Sequence, residues 1–332
     1  MEILEIAGVE LEGVSACVPA RAVDVVGSLA PLLGDKAAGV VEATGIRTRR
    51  VAGANTSAFD LCVAAADRLF AAAPDRAAYA RSFGAVIFVS FTERTRMPSA
   101  AARAQARLGL PRDVLALDLS LACSGWVSGL HLAALLARET GRRVLLLDGD
   151  MQSARIGEGD ASTLPLLSDG GTAAVVAPSP SAAPWRFAFM SDGAKGNALR
   201  LDDGGRISMD GFAVFKFVAG EVTAFLRDFL AAAPGGFDAF VPHQANMYMV
   251  RQLAKSLNLS GQLLTSGEQY ANPGSCSVPL TLARSGETPL PPGEGRASAR
   301  PRALLAGFGA GLSAAAANVE IIESFERGVV EL

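Results

Sequence analysis

The chain of 332 residues lacks several features that define large classes of protein. It has no run of basic residues, and its net charge of −3 argues against nucleic acid as the main partner. No apolar run approaches the roughly 20 residues that span a bilayer. The first residues lack the basic and apolar segments of a signal peptide. These absences predict a cytoplasmic protein that binds neither nucleic acid nor a membrane.

Cysteine and histidine are scarce. The four cysteines lie far apart without a Cys-x-x-Cys pair, which predicts neither a metal site nor a disulfide framework. Three of them, Cys17, Cys62 and Cys276, are interpreted as small packing residues. Of the two histidines, His131 lies in an apolar run and is interpreted as a core residue. His243 follows a predicted strand, and side chains at such positions often face clefts.

Apolar residues, in contrast, are abundant. Half of the residues are hydrophobic and 19% are charged, which predicts a well-packed chain with little disorder. Short β-like runs alternate with Ala-rich helical runs, a pattern typical of an α/β fold with a mostly parallel sheet. A proline-rich stretch at residues 177–184 predicts two similar halves, residues 1–178 and 185–332. A second such stretch, residues 285–302, is predicted to be a surface loop.

Cys123 lies where a predicted strand (114–119) meets a predicted helix (126–137). The small residues Ser124 and Gly125 separate the two and allow an abrupt turn. At a helix N-terminus, unpaired amides and the macrodipole favour a thiolate, which is the reactive form of cysteine. The sequence therefore predicts that Cys123 is an activated nucleophile.

Two polar residues of the C-terminal half are candidate partners for Cys123. His243 lies between a predicted strand (237–241) and a predicted helix (244–257). Asn272 precedes a proline, a pattern that taken alone is typical of a turn. Because each half places a reactive side chain between a strand and a helix, two facing halves would bring these side chains to a shared cleft.

Seven short motifs are spread over nearly the whole chain. They are Thr-Gly-Ile-Arg-Thr-Arg-Arg (44–50), Pro-Ser-Ala-Ala (98–101), Ala-Cys-Ser-Gly (122–125), Ser-Asp-Gly-Gly-Thr-Ala (168–173), Pro-His-Gln-Ala-Asn (242–246), Asn-Pro-Gly-Ser-Cys-Ser-Val-Pro (272–279) and Gly-Phe-Gly-Ala-Gly-Leu-Ser (307–313). Together they resemble the β-ketoacyl-acyl-carrier-protein synthase III enzymes of the thiolase superfamily, in the order and with about the spacing of that family.

The resemblance implies a five-layered αβαβα thiolase fold, a homodimer and a catalytic triad of Cys123, His243 and Asn272. Cys123 would attack an acyl thioester, with the backbone amides of Cys123 and Ala310 holding the oxyanion. A neutral His243 and the amide of Asn272 would donate hydrogen bonds to the enolate left when a malonyl-type thioester loses carbon dioxide. This scheme uses acyl groups on phosphopantetheine and needs no metal or redox cofactor.

The chain departs from the family at the nucleotide end of the substrate site. Members primed by coenzyme A carry a Trp and an Arg where this chain has Gly39 and Ala43, and a further Arg where it has Tyr248. The loss of this stacking and charge predicts that the donor is an acyl carrier protein rather than coenzyme A. By resemblance, Asn246 and Phe215 would line the tunnel that admits the phosphopantetheine arm.

Three cationic residues, Lys216, Arg251 and Lys255, are candidate docking charges for an acidic carrier, with ordinary solvated surface as the alternative interpretation. Met97 stands where the family often has a Phe that crosses the dimer interface and closes the partner's acyl pocket. The unbranched, adaptable Met97 predicts that acyl groups longer than acetyl are accepted.

These departures favour a specialised, polyketide-type condensing enzyme. Three alternatives stay open at this point. The first is an acyltransferase that moves the acyl group from Cys123 to an oxygen, nitrogen or sulfur nucleophile. The second is a silent subunit of a heterodimer, and the third is an unrelated hydrolase. The presence of Cys123 argues against a silent subunit, and the presence of Asn272 favours condensation over simple transfer.

Overall fold

A computed structural model of the protein describes residues 1–233, 236–285 and 300–332. The strands in chain order are β1 (Leu4–Ile6), β2 (Val9–Val18), β3 (Ala22–Asp24), β4 (Thr48–Arg50), β5 (Phe83–Val89), β6 (Leu115–Leu119), β7 (Arg143–Met151), β8 (Asp169–Pro178), β9 (Trp185–Ser191), β10 (Leu199–Leu201), β11 (Ile207–Met209), β12 (Ala239–Pro242), β13 (Arg302–Gly309) and β14 (Ser313–Glu331). The α-helices are α1 (Val25–Leu33), α2 (Ala37–Thr44), α3 (Ala58–Ala72), α4 (Arg76–Arg81), α5 (Ala100–Leu108), α6 (Gly125–Thr140), α7 (Gly211–Phe217), α8 (Thr223–Ala232), α9 (Met247–Ser256), α10 (Gly267–Tyr270) and α11 (Ser277–Arg284).

Two sheets are joined through the long strand β14. The C-terminal part of β14 pairs in parallel with β2, and the first sheet continues in the order β2, β8, β7, β5, β6. The N-terminal part of β14 lies between β9 and β13, and β1 and β12 complete the second sheet. Strands β5, β6 and β7 are parallel to one another, so their carboxyl ends meet at one edge, where β6 leads into the Cys123 segment.

Both faces of each sheet carry apolar residues, so helices pack against both faces and form layers. Every residue of β5 is buried, as expected for a strand with helices on both sides. Helices α3 and α5 cover the outer face of the first sheet. Helices α6 and α11 pack between the two sheets. Helices α7, α8 and α9 cover the outer face of the second sheet. The result is the five-layered αβαβα thiolase architecture that the resemblance implied.

Local capping signals explain where several helices around the first sheet begin and end. Ser57 and Asp60 form a reciprocal capping box at the start of α3. At the start of α5, the two carboxylate oxygens of Asp118 accept hydrogen bonds from the first two helical amides, at 2.8 Å each. Helix α6 ends at Gly141, whose φ of 63° is accessible to glycine at little cost.

Most sequence expectations about elements are confirmed. The predicted helix over 100–108 coincides with α5, and the predicted strands near Cys123 and His243 are β6 and β12. The proline-rich stretch lies between β8 and β9, whereas residues 286–299 of the predicted surface loop lie outside the described residues. The division into halves 1–178 and 185–332 stays a prediction. Among the described residues, no helix could cross a membrane and no group of His, Cys, Asp or Glu could hold a metal ion.

Cys17, Cys62 and Cys276 are buried packing residues, as predicted. His131 is less buried than the sequence predicted, because its side chain lies only partly in the core. Its ring packs edge-on against Phe187 and Phe189, at centroid distances of 4.8 and 5.2 Å. The apolar run around it predicts a helix correctly but does not show which face of that helix meets the core.

Candidate active site

Cys123 lies in the turn between β6 and α6. The N–H of Gly125 donates to the carbonyl of Ala122 at 2.6 Å and closes the turn. The next helical residues are buried, and a Cβ on Gly125 would lie 2.7 Å from Val89 Cγ1. The glycine therefore lets the start of α6 pack directly on β5. This contact holds the Cys123 turn at the carboxyl edge of the first sheet.

Strand β13 of the second sheet approaches the same turn from the other side. A Cβ on Gly307 would lie 2.8 Å from the Cα of Ser124, and one on Gly309 would lie 2.7 Å from Cys123 Sγ. Only residues without a side chain permit so close an approach. The Gly-Phe-Gly sequence at 307–309 thus brings the following residue, Ala310, to the nucleophile.

The pKa of the Cys123 thiol is raised to about 11, chiefly by burial and further by the nearby carboxyls of Asp150 and Asp148. The backbone amides of Ala310 and of Cys123 itself act in the opposite direction. Both amides therefore lie close to the sulfur, and their role as an oxyanion hole stays a prediction. Burial and two neighbouring acids oppose the thiolate that the helix N-terminus favours, so the activated thiolate stays a prediction.

His243 follows the last residue of β12. Its backbone N–H donates to the carbonyl of Ala306 on β13 at 2.7 Å, which continues the parallel ladder to the edge of the sheet. The ring is buried, packs edge-on against Phe308 and contacts Ser277 Oγ through Nδ1 at 2.9 Å. Burial lowers the pKa of His243 to about 4, with partial opposition from a backbone contact at Gly274. His243 is therefore neutral at physiological pH.

Asn272 lies in the loop that precedes α11. Its backbone N–H donates to Leu166 at 2.8 Å, and its carbonyl accepts from the Ser168 N–H at 3.0 Å and from Gln152 Nε2 at 2.8 Å. The side-chain Oδ1 accepts the N–H of Gly274 at 2.9 Å. Since Oδ1 is occupied inside the loop, Nδ2 is the end of the amide that is left to donate to a ligand.

A cavity of about 440 Å³ connects these groups. Its wall includes Cys123, His243, Asn272, Asn246 and Ala310. The rest of the wall is mostly apolar, from the β10–β11 hairpin, α7, α9 and the segment at residues 163–167. A nucleophile, a neutral imidazole, a carboxamide and two backbone amides thus surround one apolar space, which suits acyl transfer through a thioester.

Comparison with known proteins supports the same chemistry. Residues 117–193 match the family model of 3-oxoacyl-[acyl-carrier-protein] synthase III, and residues 231–321 match the model of its C-terminal part. A β-ketoacyl-[acyl-carrier-protein] synthase III of Streptomyces coelicolor is 31% identical over 318 residues, which cover 92% of each chain. This chain belongs to the β-ketoacyl-acyl-carrier-protein synthase III family. It is therefore an acyltransferase of the condensing class.

Solved structures of synthase III enzymes share the fold. The 3-oxoacyl-(acyl-carrier protein) synthase of Burkholderia xenovorans is 30% identical, with a TM-score of 0.91 over 100% of this chain and 99% of that one. The priming β-ketosynthase of the R1128 polyketide biosynthetic pathway is 27% identical, with a TM-score of 0.83 over 97% and 98% of the two chains. The thiolase fold of this synthase III is thereby established.

The three residues predicted to line the tunnel differ in their position relative to the cavity. Asn246 is on the cavity wall and caps α9, where its Oδ1 accepts the N–H of Met249 at 2.8 Å. Phe215 lies outside the lining and stacks on Tyr248, with ring centroids 6.3 Å apart. Met97 is 90% exposed and contributes nothing to the cavity of its own chain. Only Asn246 is thus part of this cavity wall.

The three predicted docking charges are all exposed. Arg251 pairs with Glu268 at 2.9 Å, whereas Lys216 and Lys255 have no ion pair among the described residues. An exposed ion pair is weak, so Arg251 remains accessible to a carrier. The open surface of α2 at Gly39 and Ala43 carries no large side chain, as the sequence indicated.

The sequence did not point to a pair of buried acids beside the site. Asp148 and Asp150 are both fully buried on β7. Asp150 Oδ1 accepts four hydrogen bonds, from Ser90 Oγ, Thr92 Oγ1 and the amides of Phe91 and Thr92. Burial raises the pKa of both carboxyls, that of Asp150 to about 7. The Asp-Gly-Asp sequence at the end of an apolar strand was the available signal.

Proposed function

We propose that this synthase III is a decarboxylative condensing enzyme of polyketide-type biosynthesis that takes its acyl donor from an acyl carrier protein. The observation that carries the proposal is the convergence of Cys123, His243 and Asn272 on one cavity, with two backbone amides at the sulfur. The likeness to a priming ketosynthase of a polyketide pathway supports the pathway class.

In the first half-reaction the sulfur of Cys123 attacks the carbonyl carbon of the donor thioester. The oxyanion forms between the amides of Cys123 and Ala310, the bond to the pantetheine sulfur breaks, and the thiol proton leaves with the pantetheine thiol. Because the acyl group passes from one thioester to another, the energy of the bond is conserved. The apolar cavity wall accommodates the acyl chain.

In the second half-reaction a malonyl-type thioester loses its carboxylate as carbon dioxide. The electron pair of that bond becomes an enolate, whose oxygen accepts hydrogen bonds from Asn272 Nδ2 and a neutral His243. The enolate carbon then bonds to the acyl carbon, the bond to Cys123 breaks, and the released thiolate takes up a proton. In the tautomer in which the Ser277 hydroxyl donates to Nδ1, the ring of His243 carries its own proton at Nε2 and can donate it to the enolate.

Three features support a carrier protein as the donor. The places of the nucleotide-binding Trp and Arg residues hold Gly39 and Ala43 on an open surface. Tyr248, which is 53% exposed, stacks on Phe215 beside the cavity instead of offering a cation to phosphates. The exposed Lys216 and Lys255 suit an acidic carrier, whose own surface would replace the missing nucleotide contacts.

The decisive comparison offers Cys123 one acyl group on coenzyme A and on an acyl carrier protein, followed by intact-protein mass spectrometry. We expect acylation from the carrier to be at least about 10-fold faster, since stacking and cationic contacts are worth about one to a few kcal/mol. Equal or faster transfer from coenzyme A would contradict the proposal. The variant Gly39→Trp, which adds a stacking surface where a side chain has room, is expected to raise the rate from coenzyme A alone.

Addition of malonyl-acyl-carrier protein to the acylated enzyme then distinguishes a condensing enzyme from a simple acyltransferase. We expect a β-ketoacyl-carrier product and release of carbon dioxide. Transfer of the intact acyl group to an amine, alcohol or thiol would instead identify the enzyme as a simple acyltransferase.

We also propose that the enzyme works as a homodimer. Strand β6 ends the first sheet and pairs only with β5 among the described residues. Leu115 on this strand and Leu121 after it are exposed, as is Met97 in the loop before α5. A second copy that covers this edge would bring Met97 toward its neighbour's cavity. Sedimentation of the wild type as a dimer and of Leu115→Asp as a monomer is expected, and a monomeric wild type would contradict the idea.

A further inference from the structure

Three polar side chains lie next to the Asn272 loop. Two of them, Asp148 and Asp150, are on β7, and the third, Gln152, directly follows that strand. Residues 148, 150 and 152 alternate along the chain, so their side chains share one face of the strand. Each contacts a different part of residues 272–275: Ser275, Gly274 and Asn272 respectively. One edge of the first sheet therefore holds a loop that lies 120 or more residues away in sequence.

The contact at Asp148 is a buried hydrogen bond. Ser275 Oγ donates to Asp148 Oδ1 at 2.8 Å, and both residues are fully buried. Asp148 does not line the cavity and contacts no substrate. Asp148 can act on the reaction through this loop and, when charged, through the pKa of the Cys123 thiol. Ser275→Ala removes the bond and leaves that charge in place.

The contact at Asp150 fixes the neighbouring residue. Gly274 has a φ of +82°, and a Cβ there would lie 3.0 Å from Asp150 Oδ2. The chain can therefore pass this carboxyl only as glycine. Gly274 is also the residue whose N–H donates to Asn272 Oδ1, and this bond sets which end of the amide faces the cavity.

Backbone strain at the start of the loop indicates that it needs such support. Ala271 has a φ of +52°, a conformation that costs a non-glycine residue free energy and persists where the surroundings hold it. Gln152, at 2.8 Å from the Asn272 carbonyl, supplies one restraint directly. Asp148 supplies another through Ser275, and the Asp150 carboxylate limits the space at Gly274.

We infer that Asp148 is a positioning residue for Asn272: through Ser275 it holds the loop in the register that directs Asn272 Nδ2 into the cavity. The inference rests on the proposed function, because Asn272 matters most in the enolate step. Cys123 is held chiefly by β5 and β13, although Ser275 Oγ also lies 3.3 Å from the place that a Cβ on Gly125 would take. Removal of the Asp148–Ser275 bond is therefore expected to affect the enolate step more than Cys123 acylation.

The test uses Asp148→Leu and Ser275→Ala, which remove the bond from either side, and Asp148→Asn, which keeps an acceptor for the Ser275 hydroxyl. We expect condensation to fall about 10- to 100-fold in the first two, while Cys123 acylation stays within about 2-fold, because a displacement of about 1 Å at a reacting group has effects of this size. Asp148→Asn is expected to restore most of the condensation rate.

Thr172→Val is the matched control. It removes a buried hydrogen bond of 2.9 Å to the backbone of Asp148 without touching the loop. It is expected to lower the melting temperature while leaving the ratio of condensation to acylation unchanged. If Ser275→Ala also lowers both rates in parallel with stability, or leaves both unchanged, the inference is wrong.

Crystal structures of the wild type and of Ser275→Ala test the inference independently of the reaction that the enzyme catalyses. A turned or displaced Asn272 amide in the variant supports the inference even if the wild type proves to transfer acyl groups to another nucleophile. An unmoved Asn272 overturns it. The condensation proposal itself is judged on the wild type alone.

Discussion

The turn that carries Cys123 and the loop that carries Asn272 reach one cavity from different halves of the chain, and they are held in different ways. Glycines at 307 and 309 let backbone pack directly on the Cys123 turn, and the hydrogen-bond donors at the sulfur are backbone amides. The Asn272 loop is held by backbone bonds to Leu166 and Ser168 and by the side chains of Asp148 and Gln152, and it presents a side-chain donor.

This difference has a chemical consequence. Backbone donors are present whatever the side chains are, so the proposed oxyanion hole at Cys123 would depend mainly on close backbone packing. The proposed donors for the enolate, Asn272 and His243, also contact other polar side chains or the loop that those side chains hold. The account therefore predicts that the first half-reaction is sensitive to added bulk and the second to lost polar groups.

The largest effect is expected from Cys123→Ala, which removes the acylation step and leaves the Asn272 loop intact. Condensation would fall by at least about 10⁴-fold, because no acyl group can be stored. Malonyl-carrier would still lose carbon dioxide at a rate within about 10-fold of the wild type, since His243 and Asn272 are intact. Release of carbon dioxide, measured without an acyl donor, checks this, and complete loss of that release would show that the two regions do not act separately.

Added bulk at the Cys123 side is expected to have the next largest effect. In Gly309→Ala the new Cβ would lie 2.7 Å from Cys123 Sγ and 2.8 Å from its Cβ. Displacement of the oxyanion donors predicts a loss of about 10²-fold in Cys123 acylation, in line with the removal of one such donor. Stopped-flow or quenched mass spectrometry gives the rate. A variant that acylates normally would show that the close packing is not required.

The pH dependence of Cys123 alkylation tests the electrostatics of the same region. With a pKa of about 11, the thiolate fraction, and with it the rate of iodoacetamide labelling, is expected to rise about 10-fold per pH unit from pH 7 to 10. A plateau reached by pH 8 would mean that the helix N-terminus and the two amides outweigh burial after all.

The smallest effect concerns Asp150, on the side of the Asn272 loop. Its pKa in the folded protein is about 7, against an ordinary value of 3.8. Between these values the folded state holds a proton that the unfolded state has lost, so the free energy of unfolding falls as pH rises from about 4 to 7 and is flat above. Asp150→Asn removes this contribution. Urea unfolding at several pH values is expected to show the wild type losing stability relative to the variant across that window, whereas parallel curves would contradict it.

The Cys123 side could be predicted from sequence to a large extent because its determinants are local. A strand, a small-residue turn and an apolar helix are adjacent in the chain, and the Gly-rich motif at 307–313 resembles that of one family. The cavity and its three polar groups follow from the family's fold. The raised pKa of Cys123 could not be predicted in this way, because it depends on burial and on acids of another strand.

The support of the Asn272 loop was not predictable because it is not local. Nothing in the segment 272–279 shows that Asp148, Asp150 and Gln152 lie beneath it, since the contact requires β7 and the loop to meet in the folded chain. In the proposed homodimer, the role of Met97 would likewise depend on the partner subunit rather than on its neighbours in sequence. The place of Phe215 outside the cavity wall was not predictable either, because one residue along α7 turns a side chain by about 100°, and Val214 lines the wall instead.

The most direct test of the account is the fate of acyl-Cys123 in Asn272→Ala. Intact-protein mass spectrometry follows the acylated enzyme after malonyl-carrier is added. The account predicts that the acyl group loads at nearly the wild-type rate and then persists, with condensation about 10²- to 10³-fold slower. Failure to load, or loss of the acyl group at the wild-type rate, would contradict the division of labour between Cys123 and Asn272.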